Sequence, residues 1–329
     1  MPARSILAWL GRYGSRLIAL GVFLGLAVPP LASLMRPLLI PAIVGPFLIA
    51  LVRLDWRLLR RQLGRPSETG MMVLWLLLLS PLLVHLAILP LGLTPAIHGG
   101  VVLMAAAPPL MASGNLAFML GLDVALAVVM TLFATALMPL TLPPLALHLL
   151  GVEMDIAFGE LMVRLGAVVG GCFLGAWVLR RLLPAGFAQR HAEPLDGLAV
   201  LGLLLFGVAI MDGVSAMLLD RPRFVLACAL AVYGLNLGLQ ALGGVVFAWR
   251  GREQALTLAL CSGNRNLGLL LAALADRAST ELFVFVAVAQ LPIYTLPALQ
   301  RPFYRRWLAS QRGTDALAGR CGGQADRSR

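Results

Sequence analysis

Long runs of apolar residues, separated by short segments rich in Arg, Pro, Gly and acidic residues, dominate this sequence. A membrane-spanning helix needs about 20 consecutive apolar residues, and by that measure the pattern predicts an all-α membrane protein with about ten transmembrane helices. The approximate bounds of the spans are 17–34, 38–54, 71–92, 95–121, 123–150, 157–182, 196–219, 224–249, 253–275 and 280–299. Residues 301–329 form an Arg-rich cytoplasmic tail, which we expect either to lie at the anionic membrane surface or to be disordered.

Two of the apolar runs are interrupted near their middles. The fourth contains Pro-Pro at 108–109 and Ser-Gly-Asn at 113–115, and the ninth contains Cys-Ser-Gly-Asn-Arg-Asn at 261–266. The interruptions lie five spans apart, and since five is odd, a five-span unit and its copy would have opposite topologies in the membrane. Irregular backbone at membrane depth is tolerated where protein or a water-filled cavity satisfies its polar groups. The pattern therefore predicts two inverted five-helix repeats whose broken helices 4 and 9 cross at a polar cavity; the alternative is two kinks in a plain helix bundle.

The composition supports a membrane location. Hydrophobic residues make up 60% of the 329 residues and charged residues 12%, and the mean hydropathy is +0.90. Soluble domains average about 45–50% apolar and ~25% charged residues, so a soluble globule is excluded. All basic residues are Arg, and the net charge is +11. Arginines are more frequent in the loops on one side of the predicted spans, and this bias predicts that both termini are cytoplasmic. We therefore expect the protein in the cell (inner, cytoplasmic) membrane. Because these arginines stand singly or in pairs between apolar runs, we expect no nucleic-acid partner.

Recognisable catalytic motifs are missing from the sequence. It contains no His-Glu-x-x-His, no Gly-x-Ser-x-Gly and no phosphate-binding glycine loop with Lys, so we expect no enzyme. The four cysteines show no Cys-x-x-Cys spacing, which argues against a structural metal site. We expect no cofactor beyond sodium or a proton as coupling ion. A channel or a non-transporting membrane receptor is the alternative function from another class. The sequence indicates no oligomeric state.

Both interruptions carry motifs of a known family. The segment Ala-Pro-Pro-Leu-Met-Ala-Ser-Gly-Asn at 107–115, followed by Val-Ala-Leu at 124–126, resembles the Pro-Gly-Gly-Thr-x-Ser-Asn and Val-Ala-Leu-Ser motifs of the bile acid:sodium symporter family. The segment Cys-Ser-Gly-Asn-Arg-Asn-Leu-Gly-Leu at 261–269 resembles the family's Glu-x-Gly-x-Gln-Asn-x-x-Leu motif. The resemblance covers about residues 15–300.

The resemblance implies a single transporter domain over residues 1–300. Its core would comprise 71–150 and 224–299, and its panel 17–54 and 157–219. The family moves organic anions between core and panel by alternating access, usually with two sodium ions bound beside the crossing. A bile-acid-like molecule, a steroid sulfate or a small carboxylate is therefore the implied substrate. Auxin-efflux-like carriers and arsenite exporters look similar in fold, so a proton-driven exporter of either type is the alternative.

When the family's sodium ligands are carried over position by position, most of them fall on residues that have no side-chain oxygen to bind sodium. Ser113 and Thr131 keep a hydroxyl. The expected oxygen is lost at five other positions: Leu76, Gly114, Ala127, Cys261 and Arg265. The last two replace the family's glutamate and glutamine. A sodium ion a few Å from a guanidinium would be repelled by about 4 kcal/mol at an effective dielectric constant of ~20, so we predict that the usual sodium sites do not operate.

Arg265 is the leading candidate for binding an anion. A charge in the middle of a span is costly and marks a functional candidate, and a guanidinium beside a half-helix N-terminus favours a carboxylate or sulfate. The alternative is a structural role, in which Arg265 caps carbonyl groups and stabilises the crossing. The predicted substrate-binding residues are Arg265, Asn264, Asn266, Ser113, Asn115 and Gln290. The predicted, degenerate ion-coupling residues are Ser113, Thr131, Cys261 and Asp212.

For each of the other polar residues within the spans, the sequence allows two roles. Asp212 is either a proton carrier or an interfacial residue near the outer loop. His85 either titrates or bonds to a neighbouring helix. Asn236 and Gln240 either line the cavity or form interhelical hydrogen bonds.

Overall fold

The computed structural model describes residues 2–54, 66–149, 156–184, 186–274 and 277–325. Within these ranges the regular elements are helices, together with one isolated β-bridge. Residues 150 and 275, at the ends of two predicted spans, and residues 326–329 of the predicted tail lie outside the described residues.

The described residues of the first half form eight α-helices, some of them joined by short 3-10 or π segments. The α-helices are α1 (Pro2–Ala27), α2 (Pro29–Met35), α3 (Leu39–Arg53), α4 (Pro66–Leu74), α5 (Ser80–Ile88), α6 (Pro95–Ala106), α7 (Ser113–Leu120) and α8 (Val124–Pro143). The additional segments are 3-10 turns at Arg36–Leu38 and Leu89–Leu91 and π-helical segments at Trp75–Leu79 and Pro144–Leu149.

The second half continues with nine α-helices in the described residues. They are α9 (Phe158–Leu182), α10 (Phe187–Arg190), α11 (Ala192–Ala209), α12 (Val214–Asp220), α13 (Pro222–Val246), α14 (Arg252–Gly263), α15 (Leu267–Leu274), α16 (Thr280–Val288) and α17 (Gln290–Ala325). A 3-10 turn at Ala248–Arg250 precedes α14.

The helices differ from the predicted spans at two places. The first predicted span, 17–34, combines the end of α1 with α2, because the chain breaks at Val28 and restarts on two prolines that suit a helix N-terminus. Helix α17 contains the end of the tenth predicted span and continues through the predicted tail to Ala325.

In the described part of the chain, seven helical segments are long and apolar enough to cross a membrane. They coincide with predicted spans 2, 3, 5, 6, 7, 8 and 10 and are Pro29–Arg53, Pro66–Leu91, Val124–Leu147, Phe158–Leu182, Ala192–Asp220, Pro222–Val246 and Thr280–Leu308. Predicted span 1 retains a shorter apolar stretch at Leu17–Ala27, and predicted spans 4 and 9 are the two interrupted runs.

Helices α1, α3, α9 and α11 pack side by side, with α11 in contact with both α1 and α3. Glycine permits the closest of these approaches: a Cβ on Gly197 of α11 would lie 2.0 Å from the Leu7 carbonyl oxygen of α1, and a Cβ on Gly25 of α1 would lie 2.5 Å from the Val208 oxygen. Across the molecule, α13 packs on α14 and α7 on α8. Helix α15, which follows the second interruption, packs against α3 and α9 of the first group.

Candidate functional site: the crossing of two broken helices

Both predicted interruptions are present. Helix α6 ends at Ala106 and α7 begins at Ser113, while α14 ends at Gly263 and α15 begins at Leu267. At the first break, Ala107 is extended (φ −67°, ψ 151°) because the following proline disfavours the helical conformation. At the second break, Asn264 leaves the helix with φ −88° and ψ 97°.

The two breaks bind each other through their backbones. Pro109 and Arg265 form an isolated antiparallel β-bridge. The Leu110 N–H donates to the Asn264 carbonyl oxygen at 2.8 Å, and the Asn266 N–H donates to the Pro108 carbonyl oxygen at 2.8 Å. Each break thereby satisfies polar groups that the other leaves free, as buried backbone requires. The prediction that the two interrupted runs meet is confirmed.

Glycines allow the neighbouring helices to approach this crossing. A Cβ on Gly263 would lie 2.4 Å from Gln240 Cγ and 2.5 Å from the Asn236 carbonyl oxygen, both on α13. A Cβ on Gly114 would lie 2.5 Å from Val128 Cγ2. These contacts leave no room for a larger residue at either position.

The Arg265 side chain is fully buried at the crossing and is bonded to four oxygen atoms. Its Nε–H donates to the Ser262 carbonyl oxygen at 2.6 Å. Its Nη1 donates to the carbonyl oxygens of Leu76 at 2.8 Å and Ala107 at 2.9 Å, and its Nη2 donates to Ser80 Oγ at 2.8 Å. These are the contacts of the structural alternative, in which the guanidinium caps carbonyl groups at the crossing.

The Leu76 carbonyl is free to accept this bond because of local helix geometry. It lies in the π segment Trp75–Leu79, where a carbonyl accepts from the N–H five residues later, as Trp75 does from Ser80. For Leu76 the corresponding residue is Pro81, which has no N–H. The π turn and the proline together leave the Leu76 carbonyl without a backbone donor, and it accepts instead from Ser80 Oγ at 3.3 Å and from Arg265 Nη1.

Two further ligands come from helix C-termini. Ser262 lies in the last turn of α14, and Ala107 directly follows α6. The C-terminal end of a helix carries partial negative charge, so both half-helices stabilise a cation at this point. Among the described residues, the four hydrogen-bond partners of Arg265 are backbone and hydroxyl oxygens, and none is a carboxylate oxygen.

A cavity of about 170 Å³ adjoins the crossing. It is bounded by α3 and α11 on one side and by the two breaks and α17 on the other, and most of its lining is apolar. Four predicted substrate-binding residues are part of the lining: Asn115, Arg265, Asn266 and Gln290. Sequence reasoning missed three further polar or charged lining residues, Tyr294, Arg53 and Asp196.

The other predicted site residues are bonded within the protein or lie apart from the cavity lining. Asn264 donates through Nδ2 to the Leu260 carbonyl oxygen at 3.0 Å. Thr131 donates to the Ala127 carbonyl oxygen of its own helix at 2.8 Å. Cys261 is fully buried in the last turn of α14. Ser113 Oγ is buried and has no hydrogen-bond partner in the described part of the chain.

Asp212 has the environment of the interfacial alternative. Its carboxylate accepts hydrogen bonds from Ser33 Oγ at 2.6 Å and from Arg36 Nη1 at 2.7 Å, at the junction of α11 and α12. Asp212 does not belong to the cavity lining. The structure therefore places this predicted ion-coupling residue in an ion pair with the α2–α3 junction and not at the crossing.

The remaining polar residues of the spans form contacts between helices. Asn236 Nδ2 donates to the Gly263 carbonyl oxygen of α14 at 3.0 Å, and Gln240 Oε1 accepts from the Tyr304 hydroxyl of α17 at 2.9 Å, which is the interhelical alternative. Within α13, Gln240 Nε2 also donates to Asn236 Oδ1 at 2.6 Å. The His85 ring packs against the His98 ring of α6, with ring centroids 5.2 Å apart. His85 Nδ1 is buried without a hydrogen-bond partner among the described residues.

Comparison with known proteins identifies the family. The model of the sodium bile acid symporter family matches residues 46–221, which is just over half of the chain. The chain belongs to the sodium bile acid symporter family. The family resemblance inferred from the two motifs is thus confirmed, and it makes the chain a multi-pass membrane transport protein, whose family members are transporters and not enzymes. A search of curated proteins gives no match. The matched region includes the first break and ends before the second.

Proposed function

We propose that this member of the sodium bile acid symporter family is a secondary transporter that moves a small organic anion by alternating access, without sodium coupling at the family's usual positions. The observation that carries the proposal is the Arg265 guanidinium, held by four oxygen atoms where the two broken helices cross. In this proposal a permanent side-chain cation takes the place of a bound coupling ion.

The ligands of Arg265 support this replacement. Discontinuous helices of secondary transporters coordinate cations through unwound carbonyls and half-helix C-termini. Arg265 engages the same kinds of oxygen, from the α14 and α6 ends and from the π turn. Arg remains protonated in proteins, so a sodium ion a few Å away would be repelled by about 4 kcal/mol at an effective dielectric constant of ~20.

The cavity favours a small anion over a steroid. At about 170 Å³ it is smaller than the roughly 300–1,000 Å³ of sites for drug-sized ligands. The N-terminal ends of α7 and α15 border it, and helix N-termini favour anions. An apolar lining with amide groups from Asn115, Asn266 and Gln290 suits a carboxylate or sulfonate with a compact apolar body.

The membrane arrangement is part of the same proposal. Ten spans in two inverted repeats, with both termini in the cytoplasm, would place the cavity between core and panel and open it toward the Arg53 end of α3. Movement of the panel relative to the crossing would then expose the cavity to the other side.

The test is transport by the purified full-length protein in proteoliposomes, using benzoate, hexanoate and cholate as probes in sodium and in choline buffer. We expect saturable uptake and counter-exchange of at least one small carboxylate, at equal rates in the two buffers. Uptake that requires millimolar sodium would contradict the proposed mechanism, and non-saturable flux without counter-exchange would indicate a channel. An imposed pH gradient that drives the flux would favour the proton-driven alternative.

A further inference from the structure

The cavity contains a second arginine in addition to Arg265. Arg53 is the last residue of α3 and lines the cavity on the panel side. Its Nη1 forms an ion pair with Asp196 Oδ1 of α11, and Asp196 lines the same cavity. From the sequence alone Arg53 counts as a loop residue that fixes topology, whereas the fold places it in the wall of the pocket.

The two guanidinium groups differ in the number of N–H donors that remain free to bind a ligand. A guanidinium has five N–H donors, and Arg265, which is fully buried, uses four of them on protein oxygens. Among the residues that the structure describes, Arg53 is held by a single carboxylate, and its side chain is 32% exposed. Arg265 has one N–H donor left, whereas Arg53 has several, so of these two arginines Arg53 is the one that can bind an anion through two N–H groups.

Asp196 can release Arg53 at low cost. Its side chain is 44% exposed, so water can solvate the carboxylate once the ion pair opens. Partly exposed pairs of this kind contribute little net stability, since the charges are well hydrated when separated. A substrate anion that enters the cavity competes with the Asp196 carboxylate for the Arg53 guanidinium. Both competitors carry a single negative charge, so their attraction to the guanidinium is similar.

We propose that Arg53 binds the anionic group of the substrate and that Asp196 occupies Arg53 when the cavity is empty. This inference rests on the proposed function and names the residue that selects the substrate class. The planar guanidinium can hold a carboxylate or sulfonate through two parallel N–H bonds. The apolar body of the ligand then lies against the lining near Phe47, Leu203 and Phe206.

The exchange mechanism gives the two partners opposite effects. Removing the guanidinium of Arg53 removes the bond to the anion and weakens binding. Removing the charge of Asp196 removes the competitor and strengthens binding. An ion pair that merely fastens α3 to α11 would show no gain of affinity when Asp196 is changed.

The chain offers a matched control pair. Arg36 and Asp212 also join two panel helices through one Nη1–carboxylate bond, at 2.7 Å, and neither residue lines the cavity. Arg36→Gln and Asp212→Asn therefore remove equivalent charges without touching the proposed site.

The experiment measures binding to the purified full-length protein by calorimetry, with benzoate and hexanoate as probes and their uncharged amides, benzamide and hexanamide, for comparison. We expect Arg53→Gln to weaken carboxylate binding about ten- to hundredfold, the range for a lost charge-assisted bond, and to leave amide binding unchanged. Arg53→Lys should give an intermediate affinity. Asp196→Asn should bind the carboxylates several-fold more tightly, and the two control variants should bind as the wild type does.

The outcomes separate this inference from the proposed function. If the wild type binds neither carboxylate, the proposed function fails and the role of Arg53 fails with it. If the wild type binds them and Arg53→Gln binds them equally well, or Asp196→Asn binds them no better, the role of Arg53 is overturned while the transport function stands. Should Arg53→Gln fail to fold, the gain of affinity in Asp196→Asn decides the question alone.

Discussion

Arg265 and Arg53 show how two environments give the same side chain different properties. Arg265 is fully buried and bonded to three backbone carbonyls and one hydroxyl, all contributed by elements that meet at the crossing. Arg53 is partly exposed at a helix end and pairs with a single, partly exposed carboxylate. A charge surrounded by backbone oxygens is fixed, because moving it would leave several buried groups unpaired. A charge held by one hydrated carboxylate is exchangeable.

The largest effect in this comparison is expected on stability, from Arg265→Gln. The substitution leaves several of the four oxygen ligands without a donor, and we expect a loss of about 3 kcal/mol in the free energy of unfolding. Thermal unfolding of the purified protein measures the loss. Arg36→Gln is the control, since that side chain is 62% exposed and should change the stability by less than about 1 kcal/mol. Equal unfolding temperatures for the two variants would show that Arg265 does not hold the crossing together.

Gly263→Ala tests whether close packing of the backbone beside Arg265 contributes to stability. The added Cβ would lie 2.4 Å from Gln240 Cγ and 2.5 Å from the Asn236 oxygen, so α13 must move, at a cost of about 2 kcal/mol. Gly238→Ala on α13 is the matched control, because nothing lies within 4 Å of its Cβ position. The two unfolding temperatures should differ; if Gly263→Ala is as stable as Gly238→Ala, the close packing at the second break is not required.

The smallest effect is expected from Ser80→Ala, which removes one of the four ligands of Arg265. A hydrogen bond to a charged group contributes about 1.5–3 kcal/mol, and the other three bonds remain, so we expect a loss near the lower end of that range. Thr131→Ala is the control, since that hydroxyl bonds only to the carbonyl of its own helix in the described structure and should contribute about 0.5 kcal/mol. A larger loss for Thr131→Ala, measured by the same unfolding assay, would point to an unrecognised role for the fifth predicted span.

The sequence predicted the crossing because interruptions of a helix have compositional signatures. Pro-Pro at 108–109 cannot continue a helix, and a polar segment at 261–266 does not belong in an apolar span. The bonding of Arg265 could not be predicted in the same way. Three of its acceptors are backbone carbonyls, which every residue carries, and the carbonyl of Leu76 is available only because a π turn and Pro81 coincide.

The residues that line the cavity could likewise be predicted only in part. Asn115, Asn266 and Gln290 were predicted from their polarity within apolar runs, and all three line the cavity. Arg53 and Asp196 carry no such signal, since charged residues at the ends of spans ordinarily contact water or lipid head groups. Their participation depends on how α3 and α11 pack, which the pattern of a single span does not encode.

We propose that the Arg265 guanidinium takes the place of the coupling cation that relatives bind, and a sodium titration of two proteins tests this replacement. In the variant Cys261→Glu/Arg265→Gln, both motif positions carry the family's carboxylate and amide. Because a ligand that binds the folded state raises the unfolding temperature, we expect no specific effect of sodium over choline on the wild type and a sodium-dependent rise for the double variant. A sodium-specific rise in the wild type that the double variant lacks would contradict this proposal.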